Sequence, residues 1–92
     1  MSDTLTLDDT KISNIIHQPF KTILFNDTHH DMLEVSTQIM KAINCTAEKA
    51  SQIMLEAHNT GRAVVITAHR ERCEHVAAIL EEIRLGTKVE PA

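Results

Sequence analysis

The sequence predicts an α+β domain in which three helices pack on one face of a small, mostly antiparallel three-stranded sheet, in the order β-α-α-β-α-β. Three observations carry this reading. Short runs of β-forming residues at 20–25 and 63–66 are bounded by turn formers. Three longer stretches place apolar residues at helical spacing. Gly61 and Gly86, the only glycines, stand where the second and third of these stretches stop.

Phe20-Lys21-Thr22-Ile23-Leu24-Phe25 reads as the first strand, with imperfect alternation because Ile23, Leu24 and Phe25 are consecutive. The turn formers Asn26 and Asp27 end it. From Met32 to Ile43, apolar positions 32, 35, 39 and 43 and a second row at 33, 36 and 40 make a helical stripe. Asp27, Thr28 or Asp31 can cap or charge its N-terminus. Thr46 is the expected N-cap of a second helix over 47–59, which puts Ala50, Ile53, Met54 and Ala57 on one face. Ala63-Val64-Val65-Ile66 is too short for a helix, and its unbroken apolarity predicts a central strand buried on both sides. A third helix is expected from Thr67 or Ala68 to about Leu85, with Cys73, Val76, Ala77, Leu80 and Ile83 facing the core and Gly86 as its stop. Thr87 to Glu90 makes a short last strand before Pro91.

With 92 residues and 42% apolar side chains, the chain supports one domain and one modest core. Residues 1–18 lack sustained periodicity and read as a flexible, acidic tail in which Ile15 and Ile16 form a brief apolar patch. The domain proper is expected over 19–92. Net charge is −4 and the pI about 5.8, which leaves no basic face for nucleic acid. Phe20 and Phe25 are the only aromatics, so base stacking has no platform. The apolar runs fall far short of the roughly 18 residues needed to cross a bilayer. The polar N-terminus lacks the pattern of a secretory signal, so Cys45 and Cys73 are expected as reduced thiols in a cytoplasmic protein.

Chemistry-bearing patterns are few. His69 and Cys73 stand at i and i+4 with His75 near, but no second pair at zinc spacing exists, and Cys73 also fits the core row. Neither cysteine lies on a tight strand-to-helix turn, and no glycine-rich phosphate loop is present. Neither an enzyme nor a cofactor or metal site is therefore expected. The remaining candidates are Asn26 and Asp27 at the first turn, and His58, which shares a helical face with Met54 and Ala57. A histidine beside an apolar stripe is more often a rim or core residue than a ligand.

Asn26-Asp27, Met32 and Val35, then Met54-Leu55-Glu56-Ala57-His58 and Gly61-Arg62-Ala63, resemble the ClpS adaptor family at the family's spacing. The resemblance runs from about Pro19 to Ala92 and agrees with the element order above. It implies an adaptor that binds substrates through a free α-amine and a large hydrophobic N-terminal residue, an N-degron, and hands them to a Clp-type AAA+ unfoldase and its protease. By that resemblance Asn26, Asp27, Thr28 and His58 surround the amine, and Leu24, Met32, Val35, Met54 and Ala57 wall the side-chain pocket. The chemistry is coherent. An α-amine with a pKa of about 7.7–8.0 is mostly cationic at neutral pH. The Asn26 oxygen and a neutral His58 ring can each accept one of its protons, while Asp27 adds negative potential. Methionine walls adapt to guests of different shape. Core packing is the plain alternative for the five wall residues, and for Leu24 and Val35 it would suffice.

The chain also departs from the family. Thr28 replaces a second acid, His30-Asp31 replaces Thr-Pro ahead of Met32, and Ala57 is smaller than the usual branched residue. Asp31 is a candidate to restore the missing charge. The run His69 to His75 differs from the charged pattern that family members present to the unfoldase, and Leu85 is a candidate extra wall. Two other readings stay open: a ClpS-like interaction module that no longer reads N-termini, and a small metal-binding or hydrolytic protein.

Overall fold

A computed structural model describes residues 18–92. The expected tail, with Ile15 and Ile16, lies outside the described residues except for Gln18. Six elements follow in the expected order: β1 (Phe20–Phe25), α1 (Met32–Ile43), α2 (Ala47–Thr60), β2 (Arg62–Ala68), α3 (Arg70–Glu81) and β3 (Thr87–Pro91).

Each helix begins on a side chain that accepts a backbone amide of its own first turn: Asp31 from Glu34, Thr46 from Lys49 and His69 from Arg72. Such caps satisfy one of the amide donors that a helix start leaves unpaired. Asn44 and Gly61 end α1 and α2 in the left-handed region, at φ 54° and 95°. The apolar stripes then face inward, through Val35, Ile39 and Ala42, through Ala50, Ile53, Met54 and Ala57, and through Cys73, Val76, Ala77 and Leu80. Gln38, buried on α1, donates to the Ile79 carbonyl of α3 at 2.6 Å, so this polar group satisfies itself while joining two helices.

The sheet order is β2-β1-β3, with both pairs antiparallel. Its centre is therefore β1. Thr22, Ile23 and Leu24 are buried in succession because that strand is covered on both faces. The central position expected for Ala63 to Ile66 is wrong: β2 is an edge strand whose residues alternate exposed and buried from Arg62 to Val65, with Val64 44% exposed. β-branched residues favour any strand, and only pairing decides which one is central. Thr22 concealed the centre because it is polar; its hydroxyl donates to the Cys73 carbonyl at 2.8 Å, so burial leaves no orphan group. A bulge between Thr22 and Ile23 leaves Val65 as the extra residue of β2.

The third helix is also shorter than expected. Pairing of Thr67 and Ala68 with Lys21 and Phe20 extends β2 and delays the helix to Arg70. At its other end the helix stops at Glu81, and the chain reverses through Arg84 at φ 67°. Gly86 is not its stop. Its carbonyl instead accepts the Phe25 amide at 3.0 Å, which seats the start of β3 against the end of β1. Leu85 is buried in the core at 2% exposure.

Truncating Ile39, which is fully buried, to alanine should destabilise the fold by about 2–5 kcal/mol. Leu33→Ala, at a side chain 76% exposed on the same helix, should stay within about 0.5 kcal/mol of wild type. Urea unfolding midpoints measure both, and equal effects would contradict the assigned faces of α1.

Candidate functional site

The end of β1 is pinned from two sides. The Phe25 amide donates to Gly86, and the Asn26 amide donates to the Gly61 carbonyl at 3.0 Å. Gly61 is the C-cap of α2, its own amide bonding the Ala57 carbonyl at 2.9 Å. Its φ of 95° strains any residue with a Cβ, although the surrounding space is open. This chain of bonds carries Asn26 to the last turn of α2, where Ala57 and His58 lie.

The turn after Asn26 is organised by Asp27. Its Oδ1 accepts the backbone amides of His29 at 2.5 Å and His30 at 2.8 Å. Its Oδ2 meets His30 Nδ1 at 2.7 Å. The two side chains are only 9% and 18% exposed. Burial pushes the Asp27 carboxyl up, but the two amides and the His30 ring outweigh it and leave its pKa below the ordinary 3.8. The hydrogen bond to Asp27 raises His30 above the ordinary 6.5, against the opposing effect of burial. Asp31 then faces α1, its Oδ1 accepting the Glu34 amide at 2.7 Å. That commitment to the helix start sets Met32, half exposed, at the site's edge.

These elements enclose a concave site of about 310 Å³, measured out to its open mouth. Leu24, Val35, Met54 and Ala57 form its buried apolar lining, and Met32, half exposed, lines it as well. Asn26, Asp27 and His58 stand around it as polar groups. All four interior residues also belong to the hydrophobic core, so the core reading and the wall reading of Leu24 and Val35 hold together. Eight of the nine expected site residues line this one cavity; Thr28 does not. Phe25 and His30 line it as well and were missed. For His30 the available signal was its position three residues after a turn-forming Asp, where the aspartate can bond both the amide and the ring. Asp31 lies instead beside a shallow depression with Leu33, Glu34 and Ile83, and Leu85 is absent from the cavity wall.

The other histidines and cysteines have different surroundings. His69 caps α3 through Nδ1, and Cys73 is fully buried with its thiol directed to the Ala68 carbonyl at 3.6 Å. Among the described residues, no three His, Cys, Asp or Glu side chains converge to hold a metal ion. No described helix is long and apolar enough to cross a membrane.

Fold and site together define a small α+β domain carrying an apolar cavity with a polar rim. The family model for "ATP-dependent Clp protease adaptor protein ClpS" matches residues 16–87. The ClpS adapter protein of Gloeobacter violaceus is 37% identical over 89 residues, covering 96% of each chain. That of Campylobacter jejuni strain RM1221 is 34% identical over 96 residues and covers 98% of each. Among solved structures, Agrobacterium tumefaciens ClpS2 bound to L-phenylalaninamide has a TM-score of 0.77 at 22% identity, covering 82% of this chain and 98% of that one. The chain belongs to the ClpS family of Clp protease adaptors.

The Asp27–His30 pair gives the turn a stability signature. Asp27, with a lowered pKa, stabilises the fold above its unfolded value near 3.8, and that contribution is lost as pH falls through the folded value. His30, with a raised pKa, contributes fully below about 6.5, and its contribution is lost as pH rises through the higher folded value. The melting-temperature deficit of His30→Asn should therefore be largest near pH 5–6 and shrink toward about pH 8. A deficit independent of pH would show that the ring's charge does not contribute.

Proposed function

We propose that the cavity receives the free α-amine and large hydrophobic first side chain of a substrate protein, and that the chain delivers this N-degron to a Clp-type AAA+ unfoldase for degradation. The observation that supports it is the meeting, in one cavity, of the apolar group Leu24, Met32, Val35, Met54 and Ala57 with the polar group Asn26, Asp27 and His58. An ammonium needs acceptors and a negative field, and a hydrophobic side chain needs a dry concavity beside them. Asn26 offers an amide oxygen, and His58 offers a ring nitrogen when neutral. Asp27 offers charge through a carboxylate whose oxygens already hold the turn. Thr28, outside the cavity wall, bears on the amine only indirectly.

The Agrobacterium relative, solved with L-phenylalaninamide bound, supports the same ligand chemistry, since that molecule joins a free α-amine to an aromatic side chain. Ala57 contributes little volume, which favours bulky first residues. Handing over a substrate requires a docking surface, and the run His69 to His75, exposed at His69 to Glu71, is the part of the chain that least resembles the family there. The setting we assign is the cytoplasm, with Cys45 and Cys73 reduced and no cofactor or catalytic group at work.

Fluorescence anisotropy with peptides beginning Phe, Leu, Trp or Tyr tests the reading. Binding should be lost when the peptide N-terminus is acetylated; unchanged affinity defeats the amine site. A charge-assisted bond contributes roughly 1.5–3 kcal/mol, and tenfold in affinity is about 1.4 kcal/mol. Asn26→Ala and His58→Ala should accordingly each weaken binding about tenfold or more. Wild-type affinity in both variants would remove these residues from the site.

A further inference from the structure

Asp27 is the carboxylate that lines the cavity, and its Oδ2 already faces an imidazole on the cavity wall at 2.7 Å. The amine reading gave this ring no task, although it lines the same cavity as Asp27 and His58. With the Nδ1–H tautomer, a neutral ring donates to Asp27 as a protonated one does, so the turn keeps its geometry in both states. What changes is one unit of positive charge beside the place an incoming ammonium would occupy.

We propose that His30 is a positioning residue of the amine site, acting through Asp27: protonated, it neutralises the carboxylate and repels the α-ammonium; neutral, it leaves the carboxylate's charge to the substrate. This rests on the amine-binding reading and deepens it by naming what regulates that site. The groups that face the ring are few. Asp27 faces it from the turn and Glu34 from α1, and the Ile83 carbonyl approaches from the segment after α3. From α2, His58 lines the same cavity. Neighbouring Asp31 is committed to the Glu34 amide, and His29 is exposed outside the cavity wall. Among the described residues Asp27 is thus the one carboxylate on the wall, and a histidine charge beside it cancels the charge it presents.

The consequence is a window of binding. Affinity rises as pH climbs through the titration of His30, and falls again once the substrate amine, with a pKa of about 7.7–8.0, loses its own proton. A peptide amine seated near the ring also disfavours ring protonation, so by linkage the peptide lowers the pKa of His30.

The experiment follows the His30 ring by NMR titration in the full chain, with and without a Phe-initiated peptide and its acetylated form. Anisotropy with wild type, His30→Asn and His30→Ala runs alongside. The free-amine peptide should shift the His30 titration to lower pH and the acetylated peptide should not. Wild-type affinity should rise roughly fivefold or more between about pH 6 and pH 7.5. His30→Asn keeps an amide donor toward Asp27 without a titrating charge. It should make that rise smaller than in wild type while binding well at the lower pH, and His30→Ala, lacking the donor, should bind more weakly than His30→Asn throughout. A His30 titration unmoved by a peptide that binds in an acetylation-sensitive way would overturn this inference and leave the amine site standing. So would superimposable pH profiles for wild type and His30→Asn. Binding indifferent to acetylation would instead overturn the amine site, and this inference with it.

Discussion

The bond from the Asn26 amide to the Gly61 carbonyl joins the two halves of the site. Asn26 ends the central strand and Gly61 ends the second helix, 35 residues later in the chain. That link extends the β1–β2 ladder, in which Phe25 pairs with Arg62, to the turn after β1 and the last turn of α2. With it, Asn26 and Asp27 share a cavity with Ala57 and His58. The bond itself depends on a left-handed Gly61, because the sharp reversal there aims the carbonyl back at β1 while the amide still closes the helix on Ala57.

Asp27 carries two demands that pull on the same atoms. As a turn residue it holds the His29 and His30 amides and the His30 ring, and without those bonds the approach to α1 would lose its shape. As the carboxylate of the cavity wall it is a source of negative potential. A carboxylate has about four lone-pair positions, so it can hold the turn and still present charge. How much charge it presents depends on the ring beside it. The apolar wall has a similar double duty: Leu24, Val35, Met54 and Ala57 pack the core on one side and face the cavity on the other. The site is therefore an opening in the core, and its shape is as rigid as the packing around it.

Much of this was legible in the residues. The limits of β1 and α1, the Thr46 cap and the Gly61 stop coincide with expectation, because local chemistry governs those positions. The place of β2 in the sheet did not, since a β-branched run fits an edge as well as a centre. The start of α3 moved two to three residues later because Thr67 and Ala68 found partners on β1, a long-range fact. Thr22, polar and yet fully buried, could be understood only once the Cys73 carbonyl was seen beside it. In the site, the spacing of Asn26, Met32 and His58 pointed to one family, while Phe25 and His30 became visible as wall residues only in three dimensions.

The sequence by itself determined the order and type of the six elements, the cap and stop of the second helix, and the family to which the chain belongs. Those features depend on neighbours within a few residues and on spacing along one element. Tertiary structure alone decided that β1 is central, that β2 is an edge strand, and that the Asp27–His30 turn shares one cavity with Ala57 and His58. Each of these is a choice among partners that local chemistry permits equally. It is settled by which groups the packed core brings within hydrogen-bonding distance.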